Sequence, residues 1–114
     1  MKTLFTLAVL AAGLNASLAM AAGTPTFDAA AAAQIANKNA CFGCHQVARQ
    51  VVGPSFQQIA AKYQGDPSAE SKMALKIKLG GSGVWGVIPM PAHPTMSDAD
   101  LKTVSQWILA GAPK

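Results

Sequence analysis

Cys41-Phe42-Gly43-Cys44-His45 holds both cysteines of the chain and one of its two histidines within five residues. On a helical turn, positions i, i+3 and i+4 share one face, so two thiols and an imidazole can address a single flat ligand. C-x-x-C-H is the attachment pattern of a c-type haem. Cys41 and Cys44 add across its two vinyl groups as thioethers, and His45, fixed beside the second, supplies the proximal imidazole to the iron. Gly43 leaves room where the porphyrin edge approaches the backbone.

Three other chemistries use such residues. A disulfide between Cys41 and Cys44 closes only a tiny loop and stabilises little. A zinc site wants four ligands, and a second C-x-x-C or a His pair is missing. A thioredoxin-like pair belongs beside a βαβ pattern, and no strand signal flanks this motif. The expectation is one covalently bound haem c.

Upstream, Met1 to Ala21 reads as a secretory signal: Lys2 is the positive start, Leu4 to Leu18 the apolar core, and Ala19-Met20-Ala21 a small-x-small cleavage site. The run is interrupted by Gly13, Asn15 and Ser17, which argues for cleavage and against an uncleaved membrane anchor. The expected organisation is a cleaved signal peptide at 1–21 and one domain at 22–114, exported to the periplasm and not stably inserted in a membrane. Loss of Lys2 leaves eight Lys/Arg against five Asp/Glu, a formal charge of +3. The lysines are scattered and form no basic run, so nucleic acid is excluded as the expected partner. The hydrophobic content is 51%, but much of it is alanine. So small a domain has few large side chains for a core, and a buried porphyrin supplies the missing apolar bulk.

Helix signals fill the rest. Asp28 is placed to cap a helix from Ala29 to about Asn39, whose alanine face suits a close helix crossing. Pro54 suits a rigid turn or a first helical residue; the helix from Ser55 carries Phe56, Ile59, Ala60 and Tyr63 on one side and ends at Gly65. Asp66-Pro67 reads as an N-cap followed by proline at the first helical position, opening a helix to about Leu79 with Ala69, Met73 and Ile77 as its apolar stripe. Gly80 to Met96 is too rich in glycine and proline for a helix, yet Val84, Trp85, Val87, Ile88 and Met90 argue against disorder. It is the natural wall opposite the motif. Ser97 caps a last helix with Asp100 three positions on; Leu101, Val104, Trp107 and Ile108 face inward, and Gly111 and Pro113 end it. Met96 reads as its hydrophobic staple and His93 as a solvent-facing loop residue.

With these elements placed, residues 26 to 112 resemble the short class I cytochromes c of the bacterial periplasm that serve denitrifying and related respiratory chains. The resemblance rests on the C-x-x-C-H motif, on Val52-Gly53-Pro54-Ser55-Phe56 and on Gly83-Val84-Trp85-Gly86-Val87-Ile88-Pro89-Met90-Pro91. It implies an all-α fold of four to five helices around one covalently attached haem, with the first and last helices crossing. It implies His45 and Met90 as axial ligands, the Pro54 carbonyl accepting from His45, and Trp85 and Lys76 contacting a propionate. The expected function is one-electron transfer between respiratory-chain components, by a monomer meeting its donor and acceptor transiently. The family often places an asparagine soon after the methionine; here Ala92-His93-Pro94 follows. The alternative class is a haem peroxidase or gas-binding module, with an open distal side on which His93 does acid–base work. A docking subunit of a larger complex has little support, because no extra segment is available for permanent assembly.

Overall fold

The computed structural model describes residues 26–114, so the expected signal peptide and its cleavage site lie outside the described residues. Four α-helices and one 3-10 turn are present among the described residues: α1, Ala29–Lys38; the turn, Cys41–Gly43; α2, Phe56–Lys62; α3, Ala69–Leu79; and α4, Asp98–Leu109.

Local hydrogen bonds set most of the boundaries. The Asp28 carboxylate accepts from the Ala31 N–H at 3.0 Å and starts α1. Ser55 and Gln58 form a reciprocal capping box at the start of α2, each side chain accepting from the other's backbone N–H at 3.0 and 2.8 Å. Proline therefore precedes the cap, and Ser55 is the capping residue rather than the first helical one. The Ser97 hydroxyl accepts from Asp100 N–H at 3.1 Å, and Met96 beneath it is buried in the same cluster as Leu101.

The start of α3 is corrected. Asp66 does not cap the helix directly: its carboxylate accepts from the Ser68 N–H at 2.8 Å and the Ser68 hydroxyl at 2.6 Å, forming a turn around Pro67. Ser68 stands at the N-cap position and α3 begins at Ala69. Asp66 is instead fixed by its own turn and by Lys72 Nζ, 2.8 Å away.

α4 is the hub of the domain. It packs on α1, α2 and α3, whereas no two of those three helices run close together along their backbones among the described residues. The crossing with α1 is close because Ala32 and Ala36 are fully buried there. Trp107, Val104, Leu101 and Ile108 carry the inner face of α4. With α2 and α3 both resting on α4 but apart from each other, a cleft opens between them. Phe56, Ile59, Met73 and Ile77 line it.

Candidate haem site

The wall carrying the motif is knitted into the backbone. Cys44 and His45 N–H both donate to the Cys41 carbonyl, at 3.2 and 2.9 Å, which gives the helical-turn geometry that brings both cysteines and His45 to the cleft. The first two N–H groups of α2, on Phe56 and Gln57, donate to the carbonyls of Gln46 and Val47 at 2.9 and 3.0 Å. Helix-terminal donors that would otherwise be orphaned thus fasten α2 to the residues just after His45. Cys41 and Cys44 are not joined to each other in a disulfide.

His45 is held from three sides. Its Nδ1 lies 2.7 Å from the Pro54 carbonyl, the contact that the family resemblance implied. A carbonyl only accepts, so Nδ1 carries the proton and Nε2 is left with its lone pair, the state of a metal-binding imidazole. The ring stacks on Phe56, centroids 5.5 Å apart and planes 21° apart. It also packs on the backbone of Gly53, where a Cβ would come within 2.7 Å of the imidazole. Phe42 and Trp107 extend the same aromatic group, each edge-on or tilted to its neighbour.

The opposite wall is the loop from Gly80 to Met96. At its base Met90 and Gly81 exchange two backbone hydrogen bonds of 2.9 Å each. Gly80, at φ +65°, lets the chain pass against the Met90 carbonyl; a Cβ there would run into it and stand 2.7 Å from the Ala92 nitrogen. Pro89 and Pro91 on either side of Met90 reduce the freedom of its backbone further. Met90 is half-buried and packs on the core cluster, whereas Val84, Trp85, Val87 and Ile88 are exposed. Lys62 Nζ sits 5.1 Å from the centre of the Trp85 ring, a cation–π contact from α2. Lys76 Nζ turns back over the end of α3 to the Gly80 carbonyl at 3.5 Å. Both Trp85 and Lys76 line the cleft.

His93 is where expectation and structure part. It is half-buried, not solvent-facing, and its Nε2 lies 3.2 Å from the Asn39 carbonyl. Nor does it line the cleft. Gly53, Gly80 and Lys62 were not singled out for the site. Gly53 had a signal, standing before a proline whose carbonyl was expected to meet His45; Lys62 had none.

The cleft encloses about 280 Å³ and is walled chiefly by apolar side chains. Cys41, Cys44, His45 and Met90 all line it. No group of three or more His, Cys, Asp or Glu able to hold a metal ion alone occurs among the described residues. These residues fit a haem: two thiols for its edge, a locked imidazole with a free nitrogen, and an apolar bed that places several exposed hydrophobic side chains where a flat apolar group would cover them. The arrangement is that of a small helical domain built on a covalently attached haem.

Comparison with known proteins agrees. Residues 29–112 match the family model of cytochrome c. The cytochrome c-552 of Nitrosomonas europaea is 53% identical over 81 residues, covering 71% of this chain and 79% of that protein. Its wild-type crystal structure superposes with a TM-score of 0.66, at 52% identity, over 69% of this chain and 98% of that one. The class 1 cytochrome MtoD of Sideroxydans lithotrophicus gives a TM-score of 0.68 at 30% identity, over 76% and 99% respectively. The chain belongs to the cytochrome c family. It is an electron carrier rather than an enzyme, and bears one covalently bound haem c.

Proposed function

We propose that this cytochrome carries single electrons between respiratory-chain proteins of the periplasm, with His45 and Met90 as the two axial ligands. The observation that carries this reading is that His45 and Met90 line one apolar cleft whose lining contains no Asp or Glu. When bound, the haem supplies the one-electron iron couple. Cys41 and Cys44 tether its edge, and His45 offers Nε2 while the Pro54 carbonyl keeps Nδ1 protonated. Met90 offers a thioether, which favours the reduced state and raises the potential. With both positions filled by side chains that the fold holds in place, little has to move when the electron does. Ile88, Pro89, Pro91 and Ala92 around Met90 bring no acid or base, which supports a carrier over the peroxidase or gas-binding alternative.

Lys76 and Trp85, on the loop side of the cleft, are the proposed propionate contacts, with Lys62 holding the Trp85 ring. Residues 1–21 are proposed as a signal peptide cleaved before Ala22, and 22–114 as the mature domain, supported by the Ala19-Met20-Ala21 pattern. No helix among the described residues is long and apolar enough to cross a membrane. The redox partners meet the exposed haem edge transiently, as a monomer with a modest basic excess would.

The ligand assignment is tested with Met90→Ala. That variant loses the sulfur-to-iron charge-transfer band and gains carbon monoxide binding in the ferrous state, while Met96→Ala keeps the band. A band that survives Met90→Ala refutes the assignment. Mass spectrometry of the periplasmic protein should show the chain from Ala22 plus one haem, and a bare polypeptide mass refutes the covalent attachment.

A further inference from the structure

His93 makes two kinds of hydrogen bond, and together they tie the segment after Met90 to two separate helices. Its backbone N–H is shared between the carbonyls of Ile77 and Lys78, at 3.1 and 3.2 Å, in the last turn of α3. Its Nε2 lies 3.2 Å from the carbonyl of Asn39, 54 residues earlier in the chain. Asn39 is the C-cap of α1; its own N–H and its side-chain amide are both spent on the Ile35 carbonyl, at 3.1 and 2.8 Å. The Asn39 carbonyl is one of the orphan acceptors every helix leaves at its C-terminus. It stands two residues before Cys41, so this bond spans from the start of the motif wall to the methionine wall.

The chemistry of the ring points the same way. The Asn39 carbonyl only accepts, so Nε2 donates the hydrogen in this bond. Nδ1 is buried and makes no hydrogen bond to another protein atom. Nε2 is therefore the one ring atom through which the side chain is tied. Neither flanking proline, Pro91 nor Pro94, has an N–H, so among residues 91–94 only Ala92 and His93 have a backbone N–H to give.

We propose that His93 is a positioning residue for the distal ligand: it latches the Met90 loop to the C-terminal ends of α1 and α3 at once, and thereby sets how often Met90 leaves the iron. It does not touch the reacting atoms. It acts by holding the loop closed, and this proposal rests on the reading of Met90 as the ligand.

The test compares His93→Leu and His93→Gln with wild type and Met90→Ala, all as haem-loaded full-length protein. Leucine removes the donor; glutamine restores an N–H near the position of Nε2. His93→Leu should bind carbon monoxide in the ferrous state about fivefold faster than wild type, the ratio that the loss of one hydrogen bond of ordinary net strength supports. It should also raise hydrogen exchange at the Met90 and Gly81 amides and leave that at Val104, in the centre of α4, unchanged. His93→Gln should recover most of both effects. Carbon monoxide binding and Met90 exchange at wild-type levels in His93→Leu would overturn the latch, as would a general rise in exchange that includes Val104. If Met90→Ala keeps the charge-transfer band, the ligand reading itself fails; if Met90→Ala loses the band while His93→Leu changes nothing, only the latch fails.

Discussion

Phe56, against which the His45 ring is stacked, is 1% exposed and belongs to the core, whereas Val87 and Ile88, just ahead of Pro89-Met90, lie outside the core cluster and line the cleft that a haem would fill. Both segments wall the same cleft. The His45 wall is continuous with the core: the imidazole rests on Phe56, Phe56 on Trp107, and Gly53, Phe56 and Gln57 bond back to the carbonyls of Cys44, Gln46 and Val47. The Met90 wall reaches the core through the Met90 side chain and the buried Met96 and is tied down by the bonds of His93, while the Gly81 bridge and the close passage of Gly80 brace the loop against itself. The proposed proximal side chain is thus built in as part of the core, and the proposed distal one is carried by a loop between two helices.

The largest effect should come from undercutting the core-supported wall. Trp107 is 2% exposed, its indole N–H donates to the Pro113 carbonyl at 2.8 Å, and its ring packs on Phe42 and Phe56. Trp107→Ala should lower the stability of the holoprotein by about 3–5 kcal/mol in denaturant titration. A loss below about 1 kcal/mol would mean that this wall is not supported from the core.

Gly80→Ala attacks the other wall. A Cβ there meets the backbone of Met90, Pro91 and Ala92, and φ +65° with ψ −151° is a region open essentially to glycine. The expected cost is about 2–3 kcal/mol, the backbone being unable to yield as a side chain can. Its signature should be selective: the charge-transfer band weakens while the haem remains attached. Loss of both together would erase the distinction between the walls.

Gly53→Ala should cost less, about 1–2 kcal/mol, because the imidazole it strikes can tilt. The tilt should move the reduction potential and the histidine signals in the nuclear magnetic resonance spectrum. Gly43→Ala separates the protein's demand from the porphyrin's, since a Cβ there meets no protein atom beyond its chain neighbours within 4 Å and stands where the porphyrin edge is expected. If Gly43→Ala proves as damaging, the porphyrin and not the protein demands glycine at that place.

The smallest effect lies away from both walls. The hydrogen bond from Lys72, with those from Ser68, holds the Asp66 carboxyl down from the ordinary 3.8 to about 2. A depressed carboxylate favours the folded state above its unfolded value and loses that contribution as pH falls. The stability difference between wild type and Asp66→Asn should therefore be constant above about pH 5, fall as the pH passes through about 2 and level off near about pH 1, small throughout because the pair is solvent-accessible. An unchanged difference at pH 2 would show that the turn around Pro67, not the charge, is what Asp66 supplies.

Much of the molecule was legible in the order of residues because the forces concerned are local. Asp28, Ser55 and Ser97 act on N–H groups three residues away. The C-x-x-C-H turn depends only on helical spacing, and Met96 staples the helix that it immediately precedes. The Asp66-Pro67 start was misplaced by two residues because the Asp66 carboxylate is spent on the N–H and hydroxyl of Ser68, closing a turn around Pro67, so that the helix begins only after Ser68. The sequence by itself determined the helices, the haem attachment and the identity of the ligand candidates. Only the tertiary structure decided that Gly53 seats His45, that Gly80 passes under Met90, that Lys62 covers Trp85, and that His93 faces inward to Asn39. Each of these joins backbone or side chains from different elements, the last across 54 residues, and such a pairing has no periodicity or spacing to announce it. It exists only once α4 has gathered the other three helices around itself.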